Sequence, residues 1–200
     1  MTHAEQHAQS FLAPITGRTT TFLIESRQAN LSFARVFMGL LVQAETACAV
    51  VDLDAFYSSN SDLIFLSPGS PFAEQAIISV PAPGANLERE FSSLFEVEQR
   101  VVVIDSLNTL YHLISQEDGS SRSRKLAFAI ASLSYLARTN EKAVILSMYR
   151  REGFSRGGTG RSISSLTDGT VSVDIKGQEM FLRNERGTGW PGGRLSIRIP

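Results

Sequence analysis

Apolar positions fall in two patterns along the first three quarters of the chain. Residues 47–51, 101–104 and 143–146 are apolar at consecutive positions. Runs that are apolar on both faces suit strands of a parallel sheet covered by helices on each side. Residues 19–24 (Thr-Thr-Thr-Phe-Leu-Ile) have strand propensity and predict another strand. Between these runs the spacing turns helical. Residues 31–42 are apolar on nearly every helical face, with Asn30 as a suitable N-cap. Leu87, Phe91, Leu94 and Phe95 predict an amphipathic helix over 87–98. Residues 109–114 continue as helix after the 101–104 run. Leu126, Ile130, Leu133, Leu136 and Ala137 form one stripe within a helix over 124–138.

The pattern changes after Gly169. Segments 169–176, 179–184 and 194–199 alternate apolar and polar residues, which predicts consecutive antiparallel strands. Residues 57–61 and most of 68–84 read as loop, with 77–80 extended. Residues 116–123 form a polar break, and 150–161 are rich in glycine and arginine. The order is strand and helix in alternation, then a β-meander. That order predicts an α/β fold, a mostly parallel sheet with right-handed crossovers and a C-terminal antiparallel meander. Residues 1–18 are expected to be a partly mobile N-terminal segment with a solvated helix, and 19–200 a single domain.

Composition narrows the class. An apolar fraction of 42% over 200 residues supports a sizeable core, and a net charge of −1 excludes a uniformly polyanion-binding chain. The charge is uneven, however. From Ser147 onward nine Lys/Arg face five acids, a balance of +4, which leaves −5 on the first 146 residues. The single cysteine, Cys48, excludes an intramolecular disulfide and a cysteine-rich zinc site, and its apolar surroundings predict a core position. No apolar run is long enough to span a membrane and the N-terminus lacks a secretory pattern, so a cytoplasmic chain is expected.

Two acids stand at strand ends, where open α/β sheets place ligand sites: Asp54 after the 47–51 run and Asp105 after 101–104. A phosphate site would add a glycine-rich turn between the first strand and the first helix. The segment there is Glu25-Ser26-Arg27-Gln28-Ala29-Asn30-Leu31-Ser32. Laid on G-x-x-x-x-G-K-[ST], it has Glu25 and Asn30 for the glycines and Leu31 for the lysine. Only Ser32 survives.

From about residue 19 to 200 the chain resembles the RecA superfamily, in particular RadA-type recombinases with their paralogues, and KaiC-like proteins. Residues 101–111 resemble that family's Walker B strand and following helix. Residues 51–56 resemble the segment of its catalytic glutamate, with Asp54 in place of the glutamate. Helix 124–138 and strand 143–148 resemble the elements leading to its nucleotide-sensing glutamine, with Met148 at that place. Segments 170–176, 180–186 and 194–199 resemble its closing meander. The resemblance implies a RecA-like core. The changed positions cluster at one site, which implies a fold kept without ATP hydrolysis, with Ser32, Asp54 and Asp105 a vestigial nucleotide site and no cofactor.

The second constellation is residues 149–161, with Arg150, Arg151, Arg156 and Arg161, two aromatics and four glycines. Guanidinium groups for phosphates, aromatic faces for bases and a pliant backbone are what single-strand binding requires. Arginine serves subunit interfaces equally well. The resemblance places this segment at the family's DNA-contacting loop. The expected function is a non-catalytic nucleic-acid-binding or accessory subunit in DNA recombination or repair. Its expected partners are a RecA-type ATPase or paralogous subunit, single-stranded DNA or RNA, and further copies in an oligomer, with no membrane. The alternatives are an ATPase-dead subunit of an Elongator-like or KaiC-like ring, and a weak ATPase using Ser32 and Asp105 on Mg²⁺ with Asp54 as base.

Four further features have plainer readings. His3 and His7 lack a third ligand. Arg122, Arg124 and Lys125 read as a solvated helix start. Trp190 reads as packing over the meander, and His112 as core or helix surface.

Overall fold

Strand β4 (Val101–Asp105) is buried at every position because it lies inside the sheet and alternates between two covered faces. Val101 and Val103 point to one core, Val102 and Ile104 to the other. Each such side chain contributes about 1.5–3 kcal/mol on burial. The computed structural model describes residues 3–64, 76–81, 87–114, 119–149, 165–187 and 193–199. Within them the strands are β1 (Thr19–Ile24), β2 (Cys48–Asp52), β3 (Ala76–Ser79), β4, β5 (Ala143–Tyr149), β6 (Gly169–Lys176), β7 (Glu179–Arg186) and β8 (Arg194–Arg198).

They form one sheet in the order β3-β2-β4-β5-β1-β6-β7-β8. Pairing is parallel from β3 to β6 and antiparallel from β6 to β8. The meander is therefore joined to the parallel part through β6, which runs parallel to β1. The expected α/β architecture with a closing meander is the observed one.

One face is covered by α1 (His3–Leu12) and α2 (Arg27–Gln43), which pack a phenylalanine cluster on the strands. Phe33 lies 4.9 Å from Phe22 and stacks on Phe37 at 5.7 Å, and Phe11 lies 5.8 Å from Phe37. The other face is covered by α6 (Leu107–Ile114) and α7 (Gly119–Thr139), whose Leu107, Leu110, Leu126, Ile130, Leu133 and Leu136 bury against it. Cys48 is buried, and desolvation pushes its thiol up to about 12. None of the described helices is long and apolar enough to cross a membrane.

The structure differs from the sequence reading at several places. The N-terminal helix is not fully solvated: Ala8, Phe11 and Leu12, with Ile15 just beyond it, are buried in the first core. Asn30 does not cap α2. The cap is Ser26, whose hydroxyl accepts from the Ala29 N–H at 3.1 Å, and Asn30 is buried within the helix. Residues expected as loop form α3 (Phe56–Ser59) and are followed by α4 (Ser61–Ile64). The Asp52 carboxylate starts α3 by accepting from the N–H groups of Phe56 (2.7 Å) and Ser58 (2.8 Å). Helix α5 (Leu87–Ser93) stops short of 98, and α7 begins at Gly119 inside the expected polar break. A first turn without apolar residues carries no helical periodicity to read.

Candidate functional site

The polar groups at the carboxyl ends of β2, β4 and β5 converge. Asp105 ends β4 in complete burial. Its Oδ1 accepts a short hydrogen bond from Ser147 on β5, while its Oδ2 has no hydrogen-bond partner among the described residues. Burial pushes its carboxyl up to about 7. The Ser147 bond opposes that rise, the negative charges of Asp54 and Asp52 add to it, and the nearby Asn30 amide opposes it. Among the described residues no lysine or arginine is one of the groups that act on it. Tyr57, fully buried on α3, is likewise pushed well above the usual phenol range by desolvation and then by the Asp105 charge.

The neighbouring acids are held by local bonds. Asp52 accepts from the backbone of α3 and from the Ser58 hydroxyl at 2.9 Å. Asp54 accepts from the Ser106 hydroxyl at 2.8 Å and closely from that of Thr109, so it braces the start of α6. The β2 and β4 ends are also tied by backbone, since the Leu53 N–H donates to the Asp105 carbonyl at 2.6 Å. The peptide between Asp105 and Ser106 is cis.

Above this cluster sits a bridge that sequence reading did not anticipate. The Asn30 amide donates to the Tyr149 phenol oxygen at 2.5 Å, and the Asn30 carbonyl oxygen is buried with no hydrogen-bond partner among the described residues. Asn108 grips the Tyr149 backbone from the other side: its Oδ1 accepts from the Tyr149 N–H at 2.7 Å and its Nδ2 donates to the Tyr149 carbonyl at 3.3 Å. In sequence, Asn30 reads as a cap and Tyr149 as the first residue of a loop. Only a pairing across 119 positions gives them a shared role.

The expected nucleotide residues are only partly assembled. Asp54 and Asp105 lie together, the Asp54 N–H donating to the Asp105 carbonyl at 3.3 Å. Ser32 is half-buried in the second turn of α2, and among the described residues no hydrogen bond joins it to either acid. Leu31, at the lysine position, packs against the first core. Only Glu25 and Ser26 separate β1 from α2, so the segment laid on a phosphate loop is mostly helix. Its N–H groups at Ala29 and Asn30 are taken by the Ser26 side chain and carbonyl. Met148, at the glutamine position, is buried in the second core. Arg150, Arg151, Arg156 and Arg161 lie outside the described residues, as do Trp190 and the side chains of His3, His7 and Arg122. Arg124 and Lys125 are exposed on α7, and His112 is exposed on α6 with its ring 6.0 Å from that of Tyr111.

The strand order, the two helical layers and the antiparallel tail define a RecA-like α/β fold. The chain is similar in structure to a RadB recombinase seen in a crystal, with a TM-score of 0.69 over 93% of this chain and 89% of that one. Identity between the two is 18%, so what the likeness establishes is the fold. No protein-family model matches the sequence, and no curated protein matches it.

Proposed function

We propose that this chain is a RecA-fold accessory subunit of DNA recombination or repair that does not hydrolyse ATP. It works beside a RecA-type ATPase or a paralogous subunit and contacts nucleic acid through Arg150, Arg151, Arg156 and Arg161. The observation that carries the reading is the two-residue connection from Ile24 to Arg27, with Leu31 packed on the core. A triphosphate needs a ring of free backbone N–H groups and a lysine. The helix begins too early to leave such a ring, and among the described residues no cation is one of the groups acting on Asp105. The residues present do not fit ATP with Mg²⁺, and no step is assigned to either. The similarity to a recombinase supports the cellular setting. The +4 balance beyond residue 146 supports a polyanionic ligand there.

Two measurements test the reading. Thermal unfolding with and without ATP–Mg²⁺ should show no protection, and a saturable rise in midpoint would overturn the non-catalytic assignment. Fluorescence anisotropy with a labelled single strand should show salt-dependent binding that is lost when the four arginines are replaced by glutamate. Binding that survives those changes would remove the arginine segment from the proposal.

A further inference from the structure

Helix α7 has an unusual outer face. Its inner face is the leucine and isoleucine stripe already described. On the opposite side Arg124, Phe128, Ala131 and Tyr135 are all exposed, and their spacing sets them in one strip along the helix. Phe128 is 73% exposed and Tyr135 63%. The Tyr135 ring lies 6.4 Å from that of Phe95, itself 37% exposed, so the aromatic surface continues off the helix. Single exposed apolar residues are ordinary. Three aromatics in one patch mark a contact surface.

Charge along the strip is polar. Arg124 and Lys125 are exposed at its amino end. Its carboxyl end carries Glu96, Glu98 and Glu141, all exposed. Two contacts place residues 95–98 beside that end: the Phe95–Tyr135 ring pair, and the Lys142 ammonium donating to the Val97 carbonyl. Arg138, also at that end, is paired with Asp168, and the three glutamates there face two other cations, Lys142 and the exposed Arg100, which leaves the end net acidic by one charge. The strip is thus basic, then aromatic, then acidic.

We propose that this strip is the interface of a two-fold homodimer in which α7 packs antiparallel on α7 of a second copy. An isologous contact needs a surface complementary to itself. Only the antiparallel arrangement sets Arg124 and Lys125 against Glu96 and Glu98 of the other copy. The axis then passes near Ala131, midway between the aromatics, so Phe128 packs on Tyr135 of the second copy. The small side chain at the centre lets the helices approach, and the antiparallel helix dipoles are favourable. A parallel arrangement sets like charges together. A nucleic-acid strand fits less well, because the net-acidic end, with Glu96, Glu98 and Glu141 against Arg100 and Lys142, does not continue the basic end. The proposal is independent of the nucleotide site and of the arginine segment.

Sedimentation of the full chain over a concentration series tests it. A reversible monomer–dimer equilibrium is expected. Phe128→Glu should weaken it by at least about tenfold, with the unfolding midpoint and circular dichroism unchanged because the position is exposed. Arg124→Glu with Lys125→Glu should also weaken it, and adding Glu96→Lys and Glu98→Lys in the same chain should restore it. Ala131→Cys should give an intermolecular disulfide on mild oxidation, the native Cys48 being buried. A monomer at every concentration, or a dimer indifferent to Phe128→Glu, would overturn the interface. Failure of the charge reversal to rescue would overturn the antiparallel arrangement. Single-strand affinity measured on the same variants keeps this result separate from the functional proposal.

Discussion

The amide of Asn30 and the phenol of Tyr149 meet at 2.5 Å and join the first turns of α2 to the last residue of β5. The first place is the segment that the sequence comparison lays on a phosphate-loop pattern, and the second immediately precedes the arginine-rich residues 150–161. The Asn30 side chain thus stands next to the buried Asp105.

Asn30→Ala should therefore destabilise the protein by about 1–3 kcal/mol, since it deletes a buried amide and its bond to Tyr149. Urea unfolding followed by circular dichroism measures this, and the slope with denaturant should not change. No shift in midpoint would mean that the contact contributes nothing in solution.

The Asp105 carboxyl makes stability depend on pH. Its folded value, about 7, lies above the ordinary 3.8, so the folded chain holds this proton more tightly than the unfolded chain. Below the ordinary value both states are protonated and no penalty exists. As pH rises from about 4 to about 7 the unfolded state releases the proton first and stability falls, by up to about 4 kcal/mol for a shift of this size. Above that window the loss is constant. Asp105→Asn removes this slope, so the variant should gain on the parent through the window and keep a constant lead beyond it. Denaturant titrations at a series of pH values check this. A difference that does not vary with pH would refute a raised carboxyl.

A lysine at position 31 should not confer nucleotide binding. Leu31→Lys places an ammonium at a position packed on the core, and the helix still begins at Arg27. The expected result is a loss of roughly 1–3 kcal/mol in stability and no rise in melting midpoint with ATP–Mg²⁺. Protection in the variant would show that the loop opens around a phosphate.

Replacing Arg150, Arg151, Arg156 and Arg161 by alanine should lower single-strand affinity most at low salt. With all four in contact with phosphates, the slope of log affinity against log salt should fall by about 3. A smaller loss with an unchanged slope would assign the arginines to protein contacts.

Phe11→Ala should cost about 3–5 kcal/mol, as for a core phenylalanine, although the residue lies in a polar N-terminal stretch. Thermal or urea unfolding of the full chain measures it. A cost under about 0.5 kcal/mol would mean that α1 does not dock on Phe22 and Phe37 in solution.

The sequence alone determined the elements that rest on local periodicity. Runs apolar on both faces announced β2, β4 and β5. The leucine and isoleucine stripe announced α7, and alternation announced β6 to β8. That Leu31 stands where a phosphate-loop pattern would need lysine was legible in the same way, because one residue type at one place carries that chemistry. Tertiary structure decided what depends on partners far apart in the chain. Asn30 reads locally as a helix cap, yet Ser26 caps and Asn30 reaches Tyr149. Asp54 reads as a site acid, yet it braces α6, and the neighbouring Asp52 starts α3. Phe11 lies with Ala8, Leu12 and Ile15 on a short apolar stripe in an otherwise polar segment, and what it docks on, Phe22 and Phe37, is decided by the fold. A hydrogen bond or a buried ring gains its energy from whatever group the fold brings to it, and local pattern holds no record of that group.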